Sequence, residues 1–300
     1  MYYDKYQKYK SKYLGSVLLM GGSLEHMPKL CLGALPHRGN AKILANAIED
    51  AFVIGYRHID GADSYQSFAE DNYYGEMKLC LANLIRHYGR DNIWITWKTD
   101  EITSSNISDI VKKLGCDYLN LVLKHHGCPT EEEMDTLVML RTGGVCHQIG
   151  VSNCYDLSTL LRYKSIYNIF ANQIQARPPR GKIQGLGKLK TDFVTMCNEN
   201  RINIMFYSPW SGLVNSDEFY TEAIITFQSN NLTPSDIIKW YTRRYLTNDK
   251  VDNVIMVGTG TGSSLQLNYN AVNTDTTEIG HTKSEIIKDI LTTTTLANQS

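Results

Sequence analysis

Leu119-Asn120-Leu121-Val122-Leu123-Lys124-His125, Gln148-Ile149-Gly150-Val151-Ser152 and Ala171-Asn172-Gln173-Ile174 are three short apolar runs. Two amphipathic stretches, residues 131–140 and 157–167, separate them. Runs of this length suit strands and the longer periodic stretches suit helices, so the unit reads strand, helix, strand, helix, strand. The rhythm continues outward in both directions. Upstream, strands are expected over residues 30–35, 57–60 and 93–98, with helices over 41–53, 73–88 and 107–114. Downstream, strands fall at 203–207 and 254–257, with helices at 189–200 and 234–245. Thr233-Pro234-Ser235-Asp236 starts the last of these, with Thr233 as cap, Pro234 in the first turn and Asp236 at the positive end of the helix dipole. Eight strands alternating with helices predict an α/β fold of the closed (β/α)8 TIM barrel type rather than an open doubly wound sheet. No G-x-G-x-x-G follows the first strand, so the open sheet's dinucleotide fingerprint is missing. Gly258-Thr259-Gly260-Thr261-Gly262 follows the last strand instead, where barrels commonly hold a phosphate.

Composition sets the limits within which that reading works. The chain has 300 residues, 42% hydrophobic and 20% charged, and no Gly-, Ser- or Pro-rich linker divides it. One barrel domain over 27–291 is expected, preceded by a leader over 1–26 and followed by a tail over 292–300. A net charge of −1 excludes a globally basic nucleic-acid coat. No apolar run reaches the ~18 residues of a membrane span, so a cytoplasmic protein is expected. The seven cysteines, Cys31, Cys80, Cys116, Cys128, Cys146, Cys154 and Cys197, are odd in number and scattered, without a C-x-x-C pair. They read as free thiols in a reducing compartment, and no metal site is expected.

Barrel chemistry collects at the C-terminal ends of the strands. Asp60 ends the second predicted strand with Tyr65 five residues on, Lys98 ends the third, His125 the fourth and Ser152-Asn153 the fifth. Gln173 lies in the sixth, and Tyr207 ends the seventh just before Ser208. Singly, each has an ordinary structural explanation. Together they would converge on one rim.

Several segments, in order, resemble the aldo-keto reductase superfamily. Gly55-Tyr56-Arg57-His58-Ile59-Asp60-Gly61-Ala62-Asp63-Ser64-Tyr65 is similar to its G-Y-R-H-I-D-T-A-x-x-Y, and Trp94-Ile95-Thr96-Trp97-Lys98 to F-I-T-T-K. Residues 114–125 resemble L-G-L-D-Y-V-D-L-Y-L-I-H, while Ile149-Gly150-Val151-Ser152-Asn153, Asn172-Gln173 and Tyr207-Ser208-Pro209 match I-G-V-S-N, N-Q and Y-S-P. The resemblance implies reduction of an aldehyde or ketone by hydride from NADPH or NADH, with a small carbonyl compound as substrate. It makes Tyr65 the general acid, Lys98 the cation that lowers its pKa, Asp60 the partner of Lys98, and His125 the group that orients the carbonyl. A cation at ~4 Å and an effective dielectric of ~20 contributes ~4 kcal/mol, enough to bring a phenol near 7. His126 is expected on the other face of the strand. Ser152, Asn153 and Gln173 would bind the nicotinamide carboxamide, Tyr207 would stack on its ring, and Ser208, Gly260, Thr261 and Asn268 would complete the cofactor site.

The departures carry information too. The family's basic residue for the 2′-phosphate falls on Ser264, and no Lys or Arg occurs between Lys250 and Lys283. Strong NADPH preference is therefore not expected. Gly61 and Ala34 stand where threonines are common. Tyr2, Tyr6, Tyr9 and Tyr13 recur beside Lys5, Lys8, Lys10 and Lys12, and Gly21-Gly22-Ser23 closes the leader. This segment is similar to short leaders on proteins of large cytoplasmic DNA viruses. It keeps open a second class of function, a weakly active or inactive barrel serving as a structural or interaction protein in a virion.

Overall fold

The computed structural model describes residues 24, 26–36, 39–176, 191–210, 221–258, 262–274 and 279–292. Eight parallel strands close into a barrel in sequence order. They are β1 (Leu30–Gly33), β2 (His58–Ala62), β3 (Trp94–Thr99), β4 (Leu119–Lys124), β5 (Cys146–Ser152), β6 (Ala171–Gln175), β7 (Asn203–Tyr207) and β8 (Val254–Gly258). Closure is made by β1 on β8, with Leu30 opposite Ile255 and Gly33 opposite Gly258. The (β/α)8 architecture is thus as expected, with strands placed within a few residues of the apolar runs.

The helices follow the amphipathic stretches: α1 (Ala41–Ile54), α2 (Tyr73–Tyr88), α3 (Ser104–Leu114), α4 (Glu131–Thr142), α5 (Leu157–Tyr167), α6 (Thr191–Glu199), α7 (Thr221–Ser229), α8 (Pro234–Tyr245), α9 (Gly262–Asn273) and α10 (His281–Thr292). The start of α8 is built as its sequence indicated. Thr233 Oγ1 accepts from the Asp236 N–H, the Asp236 carboxylate accepts from the Thr233 N–H, and Pro234 occupies the first turn. The α3 helix begins at Ser104, three residues before expectation, because Thr103 caps it by accepting from the Asn106 N–H.

Two apolar layers hold the barrel. Between strands and helices, residues such as Ile48, Phe52, Leu81, Ile149 and Ile204 pack with 0% exposure. Inside the barrel, Cys31, Leu121, Leu123, Ala171, Met205 and Val254 form the filling, and Met27 and Trp94 belong to the same cluster. Trp94 stacks on Phe170 with ring centroids 6.0 Å apart. Upward from Trp94 the inward positions of β3 are Thr96 and Lys98, because strand side chains alternate. The interior therefore changes from apolar to polar towards the C-terminal rim.

Candidate active site

Asp60 and Lys98 form an ion pair in the barrel interior, with exposures of 0% and 1%. Asp60 lies on β2 and Lys98 on β3, where register sets Ala62 opposite Lys98. Gln173 reaches Asp60 from β6, donating Nε2 to Oδ2 at 2.7 Å. Since β2 and β6 are not neighbours in the sheet, this bond runs through the barrel lumen. The Lys98 ammonium faces Tyr65, with its Nζ 5.0 Å from the centre of the Tyr65 ring.

Tyr65 rides on a 3-10 segment, Asp63–Phe68, that leaves β2 at the rim. What fixes this segment is Asp63. Its Oδ1 accepts from the Tyr74 hydroxyl at 2.9 Å and from Trp97 Nε1 at 2.8 Å, and its Oδ2 from Asn106 Nδ2 at 3.2 Å. Trp97 has room because position 61 is glycine: a Cβ there would sit 2.2 Å from Trp97 Cζ3. The two departures from the family pattern at 61 and 97 are therefore one steric exchange.

His125 faces Tyr65 edge-on, with ring centroids 6.2 Å apart and an interplanar angle of 81°. Its Nδ1 is 3.4 Å from Ser64 Oγ. A cavity of about 300 Å³ opens beside these groups and is lined by Tyr65, Lys98, His125, His126, Ser152, Asn153, Gln173, Tyr207, Ser208 and Gly258, among others. Asn153 is the hinge of its wall. The residue has φ of 61°, accepts at Oδ1 from the Tyr207 hydroxyl (2.9 Å) and the Tyr155 hydroxyl (3.3 Å), and donates Nδ2 to the His125 carbonyl (3.3 Å). Ser208 also has positive φ, 54°. Left-handed backbone at non-glycine residues costs about 1–3 kcal/mol each and here re-aims the chain at two strand ends of the rim.

The electrostatics follow from burial and from Lys98. Burial disfavours the charged lysine, but Asp60 and then Tyr65 outweigh it, so the Lys98 pKa is raised and the group stays cationic. Burial pushes the Asp60 carboxyl up while Lys98 pulls it back. Burial also pushes the Tyr65 phenol above its ordinary value, with Lys98 opposing and Asp60 reinforcing. This corrects the expectation of a phenol near 7, which counted the cation but neither the desolvation nor the carboxylate behind it. Burial, followed by the charges of Lys98 and His126, lowers His125 to about 4, leaving a neutral imidazole.

Of the predicted site residues, Asp60, Tyr65, Lys98, His125, Ser152, Asn153, Gln173, Tyr207 and Ser208 come together at this rim. Asn268 does not line the cavity; it is buried in α9 at 6% exposure. Gly260 and Thr261 lie outside the described residues, as do the leader before Leu24 and the tail after Thr292.

Two expectations are overturned. His126 does not take the opposite face: its ring stacks on His125 at 4.1 Å and also lines the cavity. The strand ends at Lys124, so the two-residue alternation no longer governs positions 125 and 126. Nor are all seven cysteines free, since Cys128 and Cys154 form a disulfide. These residues follow the ends of adjacent strands β4 and β5, next to a bridge between Gly127 and Ser152, and their separation of 26 in sequence hides the proximity. The remaining five cysteines are buried thiols. Among the described residues no helix is long and apolar enough to cross a membrane.

A profile of the aldo/keto reductase family matches residues 29–284. An aldo/keto reductase of Synechocystis is 28% identical over 219 residues, which cover 62% of this chain and 61% of that protein. The NAD/NADP-dependent indole-3-acetaldehyde reductase of Schizosaccharomyces pombe is 28% identical over 189 residues, 58% of this chain and 60% of its own. The chain spans roughly three fifths of the length of these curated relatives. The solved aldose reductase of Giardia lamblia superposes with a TM-score of 0.68 over 89% of this chain and 93% of that one, at 20% identity, a likeness of fold.

Proposed function

Because the chain belongs to the aldo/keto reductase family, we propose that it is an NAD(P)H-dependent oxidoreductase that reduces an aldehyde or ketone to an alcohol, with Tyr65 as general acid. The observation that carries this reading is the buried Asp60–Lys98 pair set directly beneath a phenol and a neutral imidazole at the mouth of one cavity.

The residues present fit a nicotinamide. Ser152 and Gln173 bring a hydroxyl and an amide to the cavity, groups that complement a carboxamide, and Tyr207 brings an aromatic ring whose hydroxyl is tied down by Asn153. Asn153 itself is saturated by its neighbours, so it positions Tyr207 and the loop after β4 rather than serving as a free ligand. When bound, the cofactor supplies a hydride to the carbonyl carbon. The protein supplies the rest. His125, neutral, donates a hydrogen bond to the carbonyl oxygen and aims it at Tyr65. With its pKa raised, Tyr65 is fully protonated at neutral pH and passes its proton to that oxygen. Lys98 then stabilises the phenolate left behind, and Asp60 with Gln173 keeps Lys98 in place. Hydride and proton together convert C=O to CH–OH.

Either nicotinamide serves. The first turn of α9 carries no basic residue, and the S. pombe relative is named for both cofactors. Steady-state oxidation of NADPH and NADH with a panel of small aldehydes tests the proposal. Tyr65→Phe, which removes one hydroxyl, is expected to slow reduction by about 10²–10⁴-fold with cofactor affinity unchanged. A Tyr65→Phe protein reducing its best aldehyde at the wild-type rate would overturn it.

A further inference from the structure

We propose that Asp100, His125 and His126 form a binding site for a divalent transition-metal ion, zinc foremost, at the mouth of the cavity, and that its occupation withdraws His125 from the carbonyl. One ligand atom from each of the three lies within 4.8 Å of the others. His126 Nδ1 is already 2.7 Å from Asp100 Oδ2, and the two imidazoles are stacked with 23° between their planes. Two imidazoles and one carboxylate are an established zinc set, leaving a fourth position for water or another small ligand.

The backbone holds the three side chains close before any ion arrives. The His126 N–H donates to Asp100 Oδ1 at 3.0 Å, and the His125 N–H donates to the Thr99 carbonyl at 3.0 Å. The segments after β3 and β4 are thereby stitched together, and the Cys128–Cys154 disulfide fixes the chain just beyond. Tetrahedral zinc with bonds of ~2.0–2.1 Å needs ligand atoms ~3.4 Å apart, a separation inside the present spread. Asp100 and His126 side chains are 50% and 64% exposed, so they have room to shift and an ion can enter from solvent.

Nearby charge does not forbid a cation. Lys98 is paired with Asp60, and Lys124 donates to Glu133 at 2.7 Å and to the Asp100 carbonyl at 2.8 Å. The free thiols among the described residues are buried and do not compete. Imidazole nitrogens favour zinc, copper or nickel over magnesium and calcium, which take oxygen ligands.

Binding rests on this geometry alone, whereas inhibition rests on the role given above to His125. The test is calorimetric titration of the full chain with zinc chloride, repeated with cobalt(II), whose visible absorption reports its coordination, alongside carbonyl reduction with and without EDTA. Expected are one ion per chain, affinity weakened about tenfold or more in both His126→Ala and Asp100→Asn, and zinc inhibition reversed by EDTA. Asp100→Asn keeps its size and an acceptor for the His126 N–H, so it guards against misfolding, and it should retain its metal-free rate. No binding to wild type, or equal binding to wild type and both variants, overturns the site. Binding that depends on both residues but leaves reduction unslowed overturns the inhibitory half, and with it the role of His125.

Discussion

Lys98→Met removes an ammonium while keeping an unbranched side chain of similar length, so its structural consequence falls on Asp60. That carboxylate is fully buried and is held by Lys98 and by Gln173 Nε2 at 2.7 Å. Losing one member of a buried pair costs about 3–5 kcal/mol, because the survivor is left uncompensated. In a chain of this size ~1 kcal/mol moves Tm by ~2 °C, so the variant should melt roughly 6–10 °C lower near pH 8. With Lys98 gone, burial raises the Asp60 pKa unopposed above its unfolded value of ~3.9. Stability linked to the protonated form is then present at low pH and lost as pH rises, so the deficit should shrink between about pH 8 and pH 5. Asp60→Asn with Lys98→Met removes the charge but keeps an acceptor for Gln173, and should recover most of the lost stability. Both variants should reduce aldehydes about 10³-fold more slowly, since ~4 kcal/mol of phenolate stabilisation disappears from the transition state. Calorimetric melting over a pH series, with rates measured in parallel, decides the matter. A single variant that melts like wild type at pH 8, or a double variant no more stable than the single, would refute the reasoning.

Fluorescence titration with each nicotinamide should place NADH and NADPH within about tenfold of each other. Ser264→Arg, in the first turn of α9, should shift the balance towards NADPH, whereas a wild-type preference for NADPH of about a hundredfold would show that a cation reaches the 2′-phosphate from elsewhere. Gly61→Thr should destabilise by about 1–3 kcal/mol or more through collision with Trp97, and Gly61→Thr with Trp97→Thr should recover at least part of that loss in denaturant melts. Reduction rate should be flat from about pH 5 to pH 9, because Tyr65 is raised and His125 sits at about 4. Stability should fall in acid: burial lowers His58 to about 3 and His125 to about 4, below an unfolded value of ~6.5, so the unfolded chain binds more protons. The contribution is present above about pH 6.5 and is lost as pH falls towards 4 and below, which a pH series of melts would show.

The rim was legible because a parallel barrel turns one-dimensional order into position: a polar residue ending an apolar run must stand at the C-terminal mouth. Asp60, Lys98 and Gln173 could be read in this way, since each sits on a strand of known direction. Three kinds of information were not available from spacing. Asp63 looks like any residue of a turn until Tyr74, Trp97 and Asn106 converge on it from three different elements. Cys128 and Cys154 become neighbours only through the register of β4 on β5. The direction of the Tyr65 shift depends on desolvation, which has no sequence signature. Strand alternation failed at His126 for a related reason, as it was applied two residues past the end of the strand. The helices α7, α9 and α10 were missed, because the expected pattern assigned one helix between successive strands and none after the last, whereas among the described residues two follow β7 and two follow β8.

The central claim is that this rim delivers hydride and proton to a carbonyl, and isotope transfer tests it most directly. Wild-type protein is incubated with an aldehyde and NADPH or NADH carrying deuterium at both C4 positions, and the alcohol is examined by mass spectrometry. One deuterium should appear on the carbinol carbon of each product molecule. Tyr65→Phe should bind the cofactor yet form almost no labelled alcohol over the same period. A wild-type protein that binds the cofactor but transfers no deuterium, or a Tyr65→Phe protein that labels its product at the wild-type rate, would contradict the account.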